Sequence, residues 1–361
     1  MTPVFPNEKL LRYLIETYFQ DGHGAGEEPH VSSHWKHYGG LFDIDVDSAG
    51  NLLAVAGVGI GSLKWPRGWK GIVQRLLDQF CVLLHFTQLP QKRALLRMIR
   101  ESVRICRSMG LNFTFDAFRQ ICSLELLERK CRKYLDVGRL HVLMIGDGYG
   151  FLSALFKLRF PDSTIFLIDL GKTLLVQSYY CQKAYPYSVH LLADHVEDAD
   201  QTDFVYCPAE HVEVLHGFVF DIAVNIASMQ EMDPRVVDGY FSFIRKRFRK
   251  KNLFYCCNRE KKEMPGGEVS EFGKYPWQPD DRFLVNDLCP WHQYFLAARR
   301  SGNEHAVFGV KVPFVHHYDG PHLHRLAVMA TDDRGRNNRE SEAHDTRNMR
   351  KDTVHFKGGT A

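Results

Sequence analysis

Apolar residues fall along this chain in two rhythms. In "NEKLLRYLIETYF" (7–19) they occupy positions 10, 11, 14, 15, 18 and 19, a one-sided helical stripe behind an Asn7 cap. Residues 41–62 alternate instead, with β-branched side chains and an "SAGN" turn, which predicts a hairpin. Helical spacing returns over 71–88, 91–109 and 114–130, punctuated by Pro90 and by Met109-Gly110. Residues 1–130 are therefore expected to form a mainly helical lobe, placed to cap a substrate pocket.

Beyond residue 130 the rhythm changes. Short apolar runs, "HVLMIG" (141–146), "STIFLIDL" (163–170), "DFVYCPAE" (203–210), "FDIAVNIAS" (220–228) and "NLFYCCNRE" (252–260), read as strands. Between them lie helical stretches at 151–160, 172–185 and 234–250. This alternation predicts an α/β fold, a mostly parallel sheet with helices on both faces. "AVFGVKVPF" (306–314) and "LHRLAVMAT" (323–331) are expected to complete the sheet, so one domain spans 131–331. The polar, charge-dense segment 332–361 is expected to be a disordered tail.

The turn "IGDGYGFLS" (145–153) carries the candidate chemistry. Gly146, Gly148 and Gly150 are spaced G-x-G-x-G, whereas the dinucleotide fingerprint needs a small third residue where this chain has Phe151. That disfavours NAD and FAD. The spacing suits S-adenosylmethionine, which has no pyrophosphate and needs backbone brought close to its methionine and ribose portions. Asp169, ending the second strand beside Leu170, is placed to accept ribose hydroxyls.

With "LIDLGKTLLVQSYY" (167–180), "VNIASMQEM" (224–232) and "CNRE" (257–260), this turn resembles the class I S-adenosylmethionine-dependent methyltransferases, and among them the sugar O-methyltransferase family. The likeness covers about residues 142–260. It implies a Rossmann-like sheet with Gly146, Gly148 and Gly150 as the cofactor loop and Asp169 on the ribose. Asn225, Ser228 and Glu231 would lie nearest the transferred methyl. Family members commonly carry an acidic residue where this chain has Met144, so Asp147 is expected to supply that charge.

Methyl transfer to a sugar hydroxyl calls for a general base. Glu231, after the fourth strand, and His292, in "CPWHQYF" (289–295), are the candidates, with Trp291 and Tyr294 offering aromatic faces to a sugar. A small sugar-like acceptor is the expected partner. A nicotinamide-dependent oxidoreductase and an inactive binding module of the same fold are the competing classes.

Composition adds limits. A net charge of +3 argues for neither nucleic acid nor an anionic membrane surface, and the basic run 244–252 is expected to be a solvated helix face. No leader or membrane-spanning segment stands out, so a cytoplasmic protein is expected. Nine scattered cysteines without a C-x-x-C pair predict neither a disulfide framework nor a zinc ribbon. "HHYDGPHLH" (316–324) is expected to be a solvated hairpin turn, and no metal is expected.

Overall fold

The computed structural model describes residues 7–19, 32–38, 42–48, 51–56, 63–136, 138–296, 304–307 and 310–331. The segment 332–361 lies outside them. The first part contains α1 (Glu8–Tyr18), α2 (Ser33–Tyr38), a hairpin of β1 (Asp43–Val46) and β2 (Leu52–Ala56), then α3 (Trp69–Gln88), α4 (Lys92–Met109) and α5 (Phe115–Tyr134). Asn7 caps α1, its Oδ1 accepting the Leu10 N–H at 2.9 Å. Helix α3 is turned inside out. Gln74, Asp78 and His85 face inward, while Trp69, Ile72, Leu76, Phe80 and Leu83 face outward, each at least 60% exposed.

The second part runs β3 (His141–Ile145), α6 (Phe151–Arg159), β4 (Thr164–Asp169), α7 (Gly171–Ala184), β5 (His190–Leu192), β6 (Phe204–Pro208), β7 (Phe220–Ile226), α8 (Pro234–Arg247) and β8 (Phe248–Arg259). A small hairpin of β9 (Lys261–Glu263) and β10 (Val269–Glu271) follows, then β11 (Arg282–Leu288). β12 (Tyr294–Leu296), β13 (Glu304–Val307), β14 (Val310–His317) and β15 (His322–Val328) end the described chain. Among the described residues, no helix is long and apolar enough to cross a membrane.

The main sheet has the order β11-β15-β8-β7-β3-β4-β6-β5. Six neighbours, β5 to β8, are parallel, while β15 is antiparallel to both β8 and β11. This is the expected Rossmann-like, mostly parallel sheet. Every residue of β3 is buried, and its side chains alternate between two cores. Val142 and Met144 enter the core shared with α1 and α4 to α7, and Leu143 and Ile145 the core under α8. Helices therefore cover both faces.

Several expectations need correcting. The boundary expected at residue 130 falls inside α5, which shares a core with the sheet. β13 and β14 do not join the main sheet; they form a three-stranded sheet with β12. The edge partner of β15 is β11, whose residues are mostly exposed and so give no continuous apolar run. In the basic run, α8 stops at Arg247 and β8 begins at Phe248. Arg245 is buried, not solvated, with a two-pronged bond to Asp281 at 2.7 and 2.6 Å. The His-rich stretch links two different sheets, and His316, His322 and His324 are buried.

Candidate active site

Strand order reverses at β3, since the chain moves to one side through β4 and later returns to the other through β7. The connections leaving the carboxyl ends of β3 and β7 thus run to opposite sides, leaving the crevice where doubly wound sheets bind ligands. The glycine turn forms its floor. Gly146 and Gly148 have φ of +70° and +58°, left-handed values that disfavour any residue with a Cβ. At Gly146 the space is also taken, because an added Cβ would lie 1.9 Å from the Ser228 hydroxyl oxygen. At Gly148 nothing lies within 4 Å. Opposite the turn, Ala227 holds a left-handed φ of +58°, strain of the kind that gathers at functional sites.

Asp147, within the turn, lines the crevice above it. Its Oδ2 accepts from the Ser153 backbone N–H and hydroxyl at 2.7 and 2.6 Å, so the carboxylate caps α6. Burial pushes this carboxyl up to about 6. Asp169 ends β4 with Oδ1 accepting the Leu170 N–H at 2.9 Å and Oδ2 accepting Gln177 Nε2 at 2.6 Å. Burial outweighs both bonds and pushes it up to about 8.

Asn225 is fully buried and lines neither cavity described below. Its amide donates to the Ile145 carbonyl at 2.9 Å, and its Oδ1 accepts from Met229 N and Asn258 Nδ2. Asn258 Oδ1 in turn accepts the Gln230 N–H, and Gln230 Oε1 accepts the Arg259 N–H. The quoted "VNIASMQEM" and "CNRE" residues therefore knot together the ends of β3, β7 and β8. Fully buried amides must spend their hydrogen bonds this way.

Glu231 emerges from that knot. Lys262 Nζ donates to Oε1 at 2.7 Å, and His34 Nε2 lies 3.3 Å from Oε2. Burial pushes its carboxyl up, but the His34 bond and the Lys262 charge more than offset this, so it stays ionised below the ordinary glutamate range.

Two cavities meet at Trp35, Asp169, Ser228 and Glu231. The larger, about 450 Å³, is walled by Ile168, Leu170, Val212, Val236, Tyr240 and Phe243. The smaller, about 260 Å³, lies over the glycine turn, walled by Asp116, Arg119 and Gln120 of α5, Thr173 of α7, His292 and Tyr318. Four buried polar atoms here have no hydrogen-bond partner among the described residues: Arg119 Nε, Gln120 Oε1, Thr173 Oγ1 and His292 Nε2. Each such atom costs roughly 1–3 kcal/mol, so four around one cavity mark it as built for a polar ligand.

Arg119 is held by Tyr318 Oη at 2.7 Å and by Asp116, which also accepts from Tyr149 Oη at 2.8 Å. Sequence reasoning missed Asp116, Arg119, Gln120 and Thr173. The available signal was Arg119 itself, a charge on the inward stripe that Phe115, Cys122 and Leu126 define. His292 lines the smaller cavity, and burial, reinforced by Arg119, holds its imidazole well below the ordinary histidine range. Trp291 and Tyr294 do not line either cavity. Trp291 Nε1 donates to Ser123 Oγ, and Tyr294 Oη bonds His85; the aromatic residues that line the smaller cavity are Trp35, Phe42, Tyr149, Phe151 and Tyr318.

No family model and no curated protein matches the chain. Solved structures with a similar fold include the pyocyanin biosynthetic protein PhzM, at 12% identity and a TM-score of 0.27, with 37% of this chain and 36% of that one covered. TrmN from Thermus thermophilus is 11% identical, with coverage of 56% and 48% and a TM-score of 0.33. Magnesium protoporphyrin IX methyltransferase (ChlM) from Synechocystis PCC 6803, with bound SAM, is 10% identical, with coverage of 73% and 98% and a TM-score of 0.34. The chain thus spans less than half the length of the first two. Likenesses this faint say nothing of chemistry, and the fold class rests on the strand order and directions above.

Proposed function

We propose that the chain is an S-adenosylmethionine-dependent methyltransferase acting on a hydroxyl of a sugar or glycosylated small molecule. The observation that carries this reading is the smaller cavity, where a G-x-G-x-G turn, a strand-end carboxylate and unpartnered polar atoms share one crevice. Arg119 Nε and Thr173 Oγ1 offer donors to the carboxylate of an amino-acid moiety, and Gln120 Oε1 offers an acceptor to its ammonium. Asp169, where the cavities join, would take the ribose hydroxyls, and the apolar walls of the larger cavity suit a purine ring. A dinucleotide fits less well, because Phe151 begins α6 as a 1% exposed core residue where the fingerprint needs close helix packing.

When bound, the cofactor supplies a methyl on a sulfonium, an electrophile with a good leaving group. The chain's task is then alignment and proton removal. Glu231, ionised at the junction of the cavities, is the residue proposed to orient the acceptor hydroxyl and take its proton. Lys262 and His34 fix its carboxylate in place. Trp35 and Tyr318 supply apolar faces against which a sugar ring can lie while water is excluded.

Calorimetric titration with S-adenosylhomocysteine and, separately, NAD tests the cofactor; labelled methyl transfer to a panel of sugars and glycosides tests the acceptor. Saturable S-adenosylhomocysteine binding and transfer to oxygen are expected. Uptake of NAD alone would overturn the reading. Binding without transfer across the panel would reduce the chain to a non-catalytic module.

A further inference from the structure

We propose that Cys257, Cys289 and His292 form a site for one zinc ion beside the smaller cavity, with His324 placed to complete it. Two thiols and an imidazole from two segments converge. Cys257 lies on β8, Cys289 just beyond β11 and His292 on the turn that follows, and one ligand atom from each lies within 4.8 Å of the others. In a tetrahedral zinc site, bond lengths of about 2.0–2.3 Å place neighbouring ligand atoms about 3.3–3.8 Å apart. The three need close by only about an ångström. Both cysteines are 0% exposed and His292 is 3% exposed, with Nε2 unpartnered among the described residues.

His324 lies outside that 4.8 Å group, so it would become the fourth ligand only by drawing in toward the ion. It stands opposite Cys257 in the β8–β15 ladder and hydrogen-bonds to the Cys289 thiol. Its Nε2 lies 2.5 Å from Asp287 Oδ1, which leaves Nδ1 for the ion. A metal-bound imidazole characteristically gives its second N–H to a carboxylate in this way. Tyr255 Oη, 3.2 Å from that Nδ1, also hydrogen-bonds with Cys257 and can donate to the thiolate instead.

Thiolate and imidazole ligands at tetrahedral spacing select zinc over oxygen-seeking cations such as magnesium. Entry of the ion releases one proton from each thiol to solvent and leaves a site of no net charge, which a dry interior tolerates. Neighbouring Cys256 faces the opposite core and is hydrogen-bonded by Asn258 Nδ2 at 3.2 Å, so it takes no part. The ion would clasp the 289–292 segment to β8 and β15, making His292 a ligand, so that Arg119, Gln120 and Thr173 remain to meet the cavity's polar ligand and proton removal is left to Glu231. This inference does not depend on the methyl-transfer reading.

The full-length protein, purified without chelator and dialysed, is assayed for bound metal by elemental analysis. About one zinc per chain is expected. Cys257→Ser and Cys289→Ser should each lose it, and Cys106→Ala, on α4, should keep it. Because a serine variant can lose the fold along with the metal, the wild-type protein stripped with chelator is also titrated with cobalt(II). A thiolate-to-cobalt charge-transfer band and the strong visible bands of a tetrahedral centre should saturate at one equivalent. Stripped protein that keeps its native circular dichroism yet shows neither band, after purification with only trace zinc, overturns the site.

Discussion

Gly146→Ala tests the glycine turn most sharply, because Gly148 provides an internal control. Both have left-handed backbone, which costs an alanine about 1–2 kcal/mol. Only Gly146 adds a clash, its Cβ falling 1.9 Å from Ser228 Oγ and 2.3 Å from Ser228 Cβ. Driving Ser228 out of a packed position costs roughly 1–3 kcal/mol more. Gly146→Ala should therefore destabilise by about 2–5 kcal/mol and Gly148→Ala by about 1–2 kcal/mol. Both replacements stiffen the unfolded chain alike, so that contribution cancels between them. Urea unfolding measures the difference through shifted midpoints at constant slope. Combining Gly146→Ala with Ser228→Gly should recover about 1–3 kcal/mol as a favourable coupling in a double-mutant cycle. Equal losses at the two glycines, or a coupling under about 0.5 kcal/mol, would refute the packing assigned to Ser228.

Other outcomes follow from the same geometry. Asp169 has a folded-state carboxyl pushed up to about 8, so the destabilisation it brings is absent below the unfolded value near 4 and complete above 8. Asp169→Asn should thus raise the melting temperature of the ligand-free protein increasingly from pH 4 to 8, while weakening S-adenosylhomocysteine roughly 10-fold or more. A pH-independent difference in melting temperature would contradict the shift. Glu231→Gln should lower kcat by roughly 10²–10⁴ with S-adenosylhomocysteine affinity retained; unchanged transfer would reduce Glu231 to an anchor for Lys262. At Asp281, burial pushes the carboxyl up but Arg245 pulls it below its ordinary value. Its contribution is therefore present above the unfolded pKa and lost as pH falls through the folded one. Asp281→Asn should cost about 3–5 kcal/mol at neutral pH and flatten the acid limb of the stability curve; an unaltered limb would place the acid sensitivity elsewhere.

Legibility tracked how local each signal was. Helices α1, α3, α4, α6 and α7 and strands β3, β4, β6, β7 and β8 announce themselves, because a helix stripe or a doubly buried strand writes its own period into consecutive residues. β5 has three residues and β11 a mostly exposed pattern, so neither carries a period strong enough to read. The glycine turn, Asp169, Ser228 and Glu231 were found from spacing and resemblance, and the structure brings them to one crevice. Asn225 was ambiguous in the sequence, because an asparagine at a strand end reads the same whether it meets a ligand or bolts backbone together.

What the sequence by itself determined is the alternation of elements and the glycine turn between β3 and α6, since both depend on neighbours a few residues apart. Only the tertiary structure decided which side chains face each other across the crevice. Arg119, Thr173 and His292 come from distant segments, as do Cys257 and Cys289, and no local pattern records their meeting. Burial then set their chemistry, because a carboxylate such as Asp169 or Glu231 departs from its ordinary pKa according to the low-dielectric surroundings and charges that packing supplies.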